Sequence, residues 1–257
     1  MPQYPLSQLL SKRQAAFGLI VPYDAPELVE IAGAIGFDFI MIDGEHGPID
    51  AGVALQLIRA CEPAGMAPLV RVGSHLAHEV LKFLDVGAAG ILFPRVESRQ
   101  DAEHVVATVR FPPAGKRGVA PGVRAARYGG GNLAHYLQDA NRELLVLPII
   151  ETASGVEAID EILSVDGIDV LTLGPVDLSA SMGFAGDVTV PEVKSAVSRV
   201  AKQCQSRGKP LLLAASSLPQ VQQALAVGAT MVMIPFSTWI INFGRQFLEA
   251  AREGIRA

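Results

Sequence analysis

Along the chain a unit recurs: an amphipathic stretch, a glycine, then a short apolar run. The runs are FGLIV (17–21), DFIMID (38–43), PLVRV (68–72), GILFPRV (90–96), LLVLPIIET (144–152), DVLTLG (169–174), PLLLAAS (210–216) and MVMIPFS (231–237). Most are too short for helices and lack strict alternation, the pattern of strands covered on both faces of a parallel sheet. Gly36, Gly65, Gly87, Gly167, Gly208 and Gly228 each stand just ahead of such a run. A glycine there can take the left-handed conformation that ends a helix. Helical patterns fill the intervals, for example Pro26–Ile35, Val53–Cys61, His78–Leu84, Ala102–Val109, Val156–Leu163, Val193–Gln205 and Pro219–Ala226. Eight strands alternating with helices predict an α/β fold, and right-handed crossovers make a closed (β/α)8 TIM barrel the natural form. The length of 257 residues suits one such domain over 1–257, since the barrel needs about 250. A doubly wound open sheet is the alternative. It usually carries a glycine-rich phosphate loop after its first strand, and VPYDAPEL (21–28) is not one.

Composition narrows the function classes. Half the residues are hydrophobic and 18% are charged, so a chain of this length can bury a large core. The net charge of −5, with no run of like charges, leaves no electrostatic footprint for nucleic acid. Cys61 and Cys204 lie far apart, which fits no zinc spacing and suits a reducing, cytoplasmic compartment. The N-terminal MPQYPLSQLLSKRQ lacks the apolar core of a signal peptide. No apolar run reaches the roughly 18 residues that would span a bilayer. Residues 112–132 interrupt the repeating pattern with Lys116, Arg117, Arg124 and Arg127 and no acid. A loop of this length is often functional, and it is expected to leave the barrel on its active-site face.

In a barrel, chemistry gathers at the C-terminal ends of the strands. There the second run ends Asp43-Gly-Glu-His46, the third in Arg71, the fourth in Arg95 and the fifth in Glu151, and the sixth is followed by Gly-Pro-Val-Asp177. Glu151 and Asp177 come from adjacent strands. Two carboxylates facing one another in a partly dry cavity repel, so a cation or a shared proton should compensate. The competing reading makes each an N-terminal cap of the helix that follows. Oxygen ligands without histidine or cysteine point to Mg2+, Mn2+ or Co2+. His46, three residues after Asp43 on a turn, is a candidate base whose tautomer a carboxylate could fix; the alternative is a hydrogen-bonded loop histidine. Glu45 receives no role. Arg71 is a charge inside an apolar run and must pair with an anion, either a substrate oxygen or a structural carboxylate.

Two further patterns inform by exclusion. His75 and His78 form H-x-x-H beside Glu79, but without a third ligand they read as a solvated helix face. His104 and His135 read as surface residues. None of Lys12, Lys82, Lys116, Lys194, Lys202 and Lys209 ends a predicted strand. A Schiff-base aldolase needs a desolvated lysine at the active mouth, and none is evident.

FDFIMIDGEHGPID, PLVRVGSH, LKFLDVGAAGILFPRVES, PIIETASGVEAIDEI and VDLSASMG together resemble the HpcH/HpaI family of metal-dependent (class II) pyruvate aldolases. That family includes the 4-hydroxy-2-oxoheptanedioate and 2-dehydro-3-deoxyglucarate aldolases. The resemblance runs in order from about residue 15 to 240. It implies that Glu151 and Asp177 bind the metal, that His46 is the catalytic base, and that Arg71 stabilises the developing enolate. It also implies that Asp85 supports the histidine across a subunit contact, that Gly174, Pro175 and Val176 meet the substrate carboxylate, and that the chain forms a hexamer, a trimer of dimers. This sequence departs from the family's pattern at Ile149, where glutamine is frequent, and at Val176, where alanine is frequent.

The implied reaction is reversible cleavage of a 4-hydroxy-2-oxo acid into pyruvate, or hydroxypyruvate, and an aldehyde. His46, oriented by Asp43 and Asp85, removes the 4-hydroxyl proton, and Arg71 adds charge at the enolate oxygen. Two alternatives stand beside it. One is a citrate-synthase-like or acyl-CoA lyase activity on the same scaffold. The other is a barrel that binds an oxo acid without turning it over.

Overall fold

A computed structural model describes residues 15–256 together with Leu6 and Leu10. Lys12 and most of the N-terminal segment read above lie outside the described residues. Eight parallel strands close into one barrel in sequence order. They are β1 (Ala16–Val21), β2 (Phe39–Asp43), β3 (Ala67–Arg71), β4 (Gly90–Phe93), β5 (Leu145–Ile150), β6 (Leu171–Leu173), β7 (Leu211–Ala214) and β8 (Met231–Pro235). Each coincides with one of the eight apolar runs, as the barrel reading requires.

The lack of alternation in those runs has a direct cause. In β2 all five residues are buried. Phe39 and Met41 belong to the cluster that fills the barrel, with Leu69, Leu92, Leu147 and Leu212, while Ile40 and Ile42 belong to the cluster between sheet and helices. Period two persists in direction but not in polarity, because both faces are apolar. Gly18 has the ring of Phe39 2.2 Å from where its Cβ would stand, so no larger residue fits at that point of β1.

Helices cover the barrel: α1 (Pro26–Ile35), α2 (Ala51–Ala64), α3 (Ala77–Val86), α4 (Arg99–Val109), α5 (Leu133–Glu143), α6 (Ala153–Glu157), α7 (Ile159–Leu163), α8 (Pro175–Ser181), α9 (Pro191–Ser206), α10 (Leu218–Ala226) and α11 (Phe236–Arg256). The six glycines singled out in sequence all have positive φ, from 63° at Gly208 to 112° at Gly87. At Gly36, Gly65 and Gly87 the cap N–H returns to helix carbonyls. The stretch expected as one helix over Val156–Leu163 is instead two, α6 and α7, with Ala158 (φ −82°, ψ 5°) between them. None of the described helices is long and apolar enough to cross a membrane.

The cationic loop corrects one expectation. It follows α4 and precedes α5, so it leaves from the ends of the strands opposite to the candidate site. Its residues fasten to the C-terminal ends of two helices. Arg124 donates to the carbonyl of Val86 (3.0 Å) and to Glu62 (2.7 Å), and Arg117 donates to Asp85 (3.0 Å). Arg117 is buried with its guanidinium 4.4 Å above the Phe111 ring. The acids that balance these cations come from α2 and α3, which inspection of the loop alone does not show. A short 3-10 segment, Arg124–Gly129, lies within it.

Candidate active site

Asp43 and Arg71 are register partners at the ends of β2 and β3, which puts their side chains on one side of the wall. Arg71 donates from Nε to Asp43 Oδ1 (3.0 Å) and from Nη2 to Asp43 Oδ2 (2.7 Å). Asp43 Oδ1 also accepts the amides of Glu45 and His46, both at 3.2 Å. Burial alone would raise the Asp43 carboxyl, but the Arg71 guanidinium and the two turn amides outweigh it and hold it below its ordinary value. Of the two partners sequence left open for Arg71, the structural carboxylate is present.

The same geometry corrects the expected contact between Asp43 and the imidazole. Asp43 bonds the backbone amide of His46, and its oxygens are already engaged by guanidinium and turn. The His46 side chain is 67% exposed, with Nε2 3.9 Å from Glu45 Oε2. Glu45, which sequence reasoning passed over, reaches Arg71 Nε at 3.3 Å and lines the same cavity as His46. Its signal was the second acid of D-G-E-H, one residue after the turn glycine.

Glu151 follows β5 directly and is buried. It caps no helix, because Thr152 is the N-cap of α6 and accepts from the Gly155 amide. The Glu151 carboxylate instead takes the amide of Arg95 on Oε1 at 2.8 Å. Burial pushes its pKa up; the Arg95 amide opposes this, the Glu45 and Asp177 carboxylates add to it, and Arg71 opposes it. Asp177 stands in the first turn of α8, where Gly174 is the N-cap and no side-chain cap is made. A Cβ at Gly174 would lie 3.0 Å from Glu151 Oε2, so a small residue is needed beside this carboxylate. Ile149 is buried in the barrel interior below, and Val176 is exposed.

Glu45, His46, Arg95, Glu151, Thr152 and Asp177 line one cavity of roughly 350 Å³. Asp85 is not there. It lies at the end of α3, on the opposite end of the barrel, against Arg117. The H-x-x-H pair also divides. His75 lies in the loop before α3, hydrogen-bonded to the Pro94 carbonyl and edge-on to Phe93, whereas His78, His104 and His135 are exposed. Among the described residues no lysine ends a strand, and Lys209 donates to the Ile168 carbonyl just ahead of β7.

The donor set suits a hard divalent cation. Glu151 and Asp177 could supply carboxylate oxygens, and the Glu151 pKa is raised chiefly by burial, with the nearby Glu45 and Asp177 carboxylates adding to it. No group of three or more His, Cys, Asp or Glu side chains among the described residues could hold a metal ion. Glu151 and Asp177 are two carboxylates on this cavity that could hold such an ion, with Glu45 as a third acid on the same lining.

The chain matches the family described as HpcH/HpaI aldolase/citrate lyase over residues 16–241. It is 37% identical over 239 residues to a 4-hydroxy-2-oxo-heptane-1,7-dioate aldolase of Salmonella paratyphi C, covering 93% of this chain and 88% of that one. It is 39% identical over 197 residues to a hydroxypyruvate/pyruvate aldolase of Sagittula stellata, covering 77% of each. Among solved structures, an HpcH/HpaI aldolase/citrate lyase family protein from Burkholderia cenocepacia superposes with a TM-score of 0.92 at 32% identity, covering 97% of this chain and 100% of that one.

Proposed function

The chain belongs to the HpcH/HpaI aldolase/citrate lyase family, and we propose that it is a class II aldolase. It cleaves a 4-hydroxy-2-oxo acid reversibly to pyruvate or hydroxypyruvate and an aldehyde. The observation that carries this reading is the buried, uncapped carboxylate of Glu151 beside Asp177 in a cavity that also holds His46. Mg2+, Mn2+ or Co2+ fits that pair, since Mg2+ in particular is commonly held by one or two carboxylates together with its substrate.

A divalent cation held by Glu151 and Asp177 would supply a Lewis acid for the carbonyl of a 2-oxo acid. The chain's own groups do the rest. Arg71, held rigid by Asp43, brings fixed positive charge toward the oxygen that becomes the enolate. Pairing with Asp43 leaves the guanidinium oriented and costs no reorganisation during reaction. His46, on the exposed side of the turn, reaches outward and takes the proton of the 4-hydroxyl as C3–C4 cleavage releases the aldehyde. Gly174, Pro175 and Val176 form the backbone stretch that faces the substrate carboxylate.

Asp85 can support His46 only from a neighbouring subunit, because within one chain it lies at the far end of the barrel. A homo-oligomer also accounts for α11, whose Ile240, Ile241, Phe243, Phe247 and Leu248 are all exposed. A hexamer built as a trimer of dimers meets both requirements. A cytoplasmic location fits Cys61 and Cys204, buried free thiols whose pKa values burial pushes up to about 12.

Release of pyruvate and aldehyde from a panel of 4-hydroxy-2-oxo acids, followed by product analysis, tests the reading. Cleavage to the two fragments is expected. Condensation of oxaloacetate with acetyl-CoA, without any retro-aldol turnover, would replace it with the citrate-synthase-like reading.

A further inference from the structure

Arg95 has no part in the chemistry above, yet it holds an unusual place in the same cavity. It follows β4 with φ of 52°, a left-handed backbone that non-glycine residues seldom adopt and that the surroundings must enforce. Two bonds to β5 and its carboxylate enforce it. The Arg95 amide donates to Glu151 Oε1 (2.8 Å), and the amide of Val96 donates to the carbonyl of Ile149 (3.2 Å). Val96 is fully buried, while the Arg95 side chain is 72% exposed at the cavity rim. The backbone twist is what separates the two side chains.

Charge in the cavity is lopsided. Glu45, Glu151 and Asp177 are acids, and the guanidinium of Arg71 is engaged by Asp43 and Glu45. Among the described residues Arg95 pairs only with Glu97, 3.8 Å away, with both side chains open to water. A pair of that kind contributes little and leaves the planar guanidinium free to bind a carboxylate through two parallel hydrogen bonds. Arg95 lines the same cavity as Glu151 and Asp177, so a substrate held by its oxo-acid end at those two carboxylates can present its aldehyde half to Arg95.

We infer that Arg95 is a specificity-determining residue that selects substrates carrying a carboxylate on the aldehyde half. This rests on the aldolase reading above. The strained backbone serves two ends at once: its amide fixes the Glu151 carboxylate, and its side chain presents a cation to the far end of the substrate.

The test separates those two functions by binding alone. Full-length protein loaded with Mn2+ is titrated calorimetrically with 2-oxoglutarate and 2-oxoadipate, and with 2-oxopentanoate and 2-oxohexanoate of matching length but no distal carboxylate. None of the four carries the 4-hydroxyl needed for cleavage. Arg95→Gly keeps the amide and relieves the positive φ, Arg95→Lys keeps the charge, and Mn2+ affinity is measured for each variant. The wild type is expected to favour at least one diacid over its monoacid partner by about tenfold, the scale of a charge-assisted hydrogen bond. Arg95→Gly is expected to abolish that preference with Mn2+ affinity retained, and Arg95→Lys to keep part of it. No diacid preference in the wild type, or an undiminished one in Arg95→Gly, overturns the inference and leaves the aldolase reading standing. If no 2-oxo acid binds more tightly with Mn2+ than with EDTA, the metal-dependent reading fails and the inference falls with it.

Discussion

Asp43 and Arg71, register partners at the ends of neighbouring strands, close a two-bond ion pair at 3.0 and 2.7 Å, and this pair organises the mouth of the barrel. One carboxylate oxygen bonds two amides of the D-G-E-H turn as well. The turn that carries His46 is thereby tied to the arginine assigned to the enolate, so a change at Asp43 disturbs both.

Stability should follow the Asp43 carboxylate with pH. Its folded-state pKa lies below the ordinary value of 3.8, so its contribution is fully present above that value and is lost as pH falls through the lower folded-state value. Asp43→Asn should be less stable than wild type by about 2 kcal/mol at neutral pH, as for loss of a hydrogen bond to a charged group. The difference should narrow below about pH 4. Urea unfolding across a pH series measures it, and a difference that widened on acidification would contradict the assignment.

The roles of His46 and Arg71 separate by reaction. Retro-aldol cleavage removes a hydroxyl proton, whereas decarboxylation of oxaloacetate forms a pyruvate enolate with no such proton to take. His46→Ala should lose cleavage by at least about 100-fold and decarboxylation far less. Arg71→Ala should depress both, by about 100–1000-fold. Folding and metal content are checked first, since Arg71→Ala leaves the buried Asp43 without its counter-ion. Equal losses of both activities in His46→Ala would refute its role as the hydroxyl base.

Borohydride reduction in the presence of pyruvate should trap no adduct, because no lysine among the described residues stands at the mouth. A pyruvyl-lysine peptide in a tryptic digest would overturn the class II assignment.

Gly174→Ala should weaken metal binding without unfolding the barrel. Its new methyl group would meet Glu151 Oε2 at 3.0 Å, and the backbone at Gly174 (φ −105°) tolerates alanine. Mn2+ affinity should fall by about 10–100-fold, as when a ligand's orientation is lost. Unaltered affinity would show that Glu151 is not a ligand.

Much of this was legible in the sequence, for physical reasons that differ from element to element. The eight strands showed because apolar cover on both faces makes each a continuous run, as in FIMID of β2. The helix-ending glycines showed because positive φ is a local demand. Leu133–Glu143 was not singled out, although Leu133, Tyr136, Leu137 and Ala140 recur at helical spacing and Tyr136, Leu137 and Ala140 pack on the core; it directly follows the long loop and only Ala140 is fully buried on it. The loop at 112–132 was placed at the wrong end although its position after the Ala102–Val109 helical pattern and before the fifth run already puts it opposite to the site; what sequence hid was its partners, Glu62, Asp85 and the Val86 carbonyl, 26 or more residues away. At the site, strand-end positions located Asp43, Arg71, Glu151 and Asp177. The partner of each side chain was beyond reach: that Asp43 serves Arg71 and the turn, and that Thr152 frees Glu151 by capping α6 itself, depends on tertiary register.

In the proposed function, Glu151 and Asp177 hold the cation on which cleavage depends. Retro-aldol turnover after exhaustive EDTA treatment, with metal content followed by elemental analysis, tests it most directly. The stripped enzyme should be inactive, and Mg2+, Mn2+ or Co2+ should restore turnover to the wild type but not to Glu151→Gln. Full activity in protein shown to contain no metal would rule out a metal ion at Glu151 and Asp177 as the basis of cleavage.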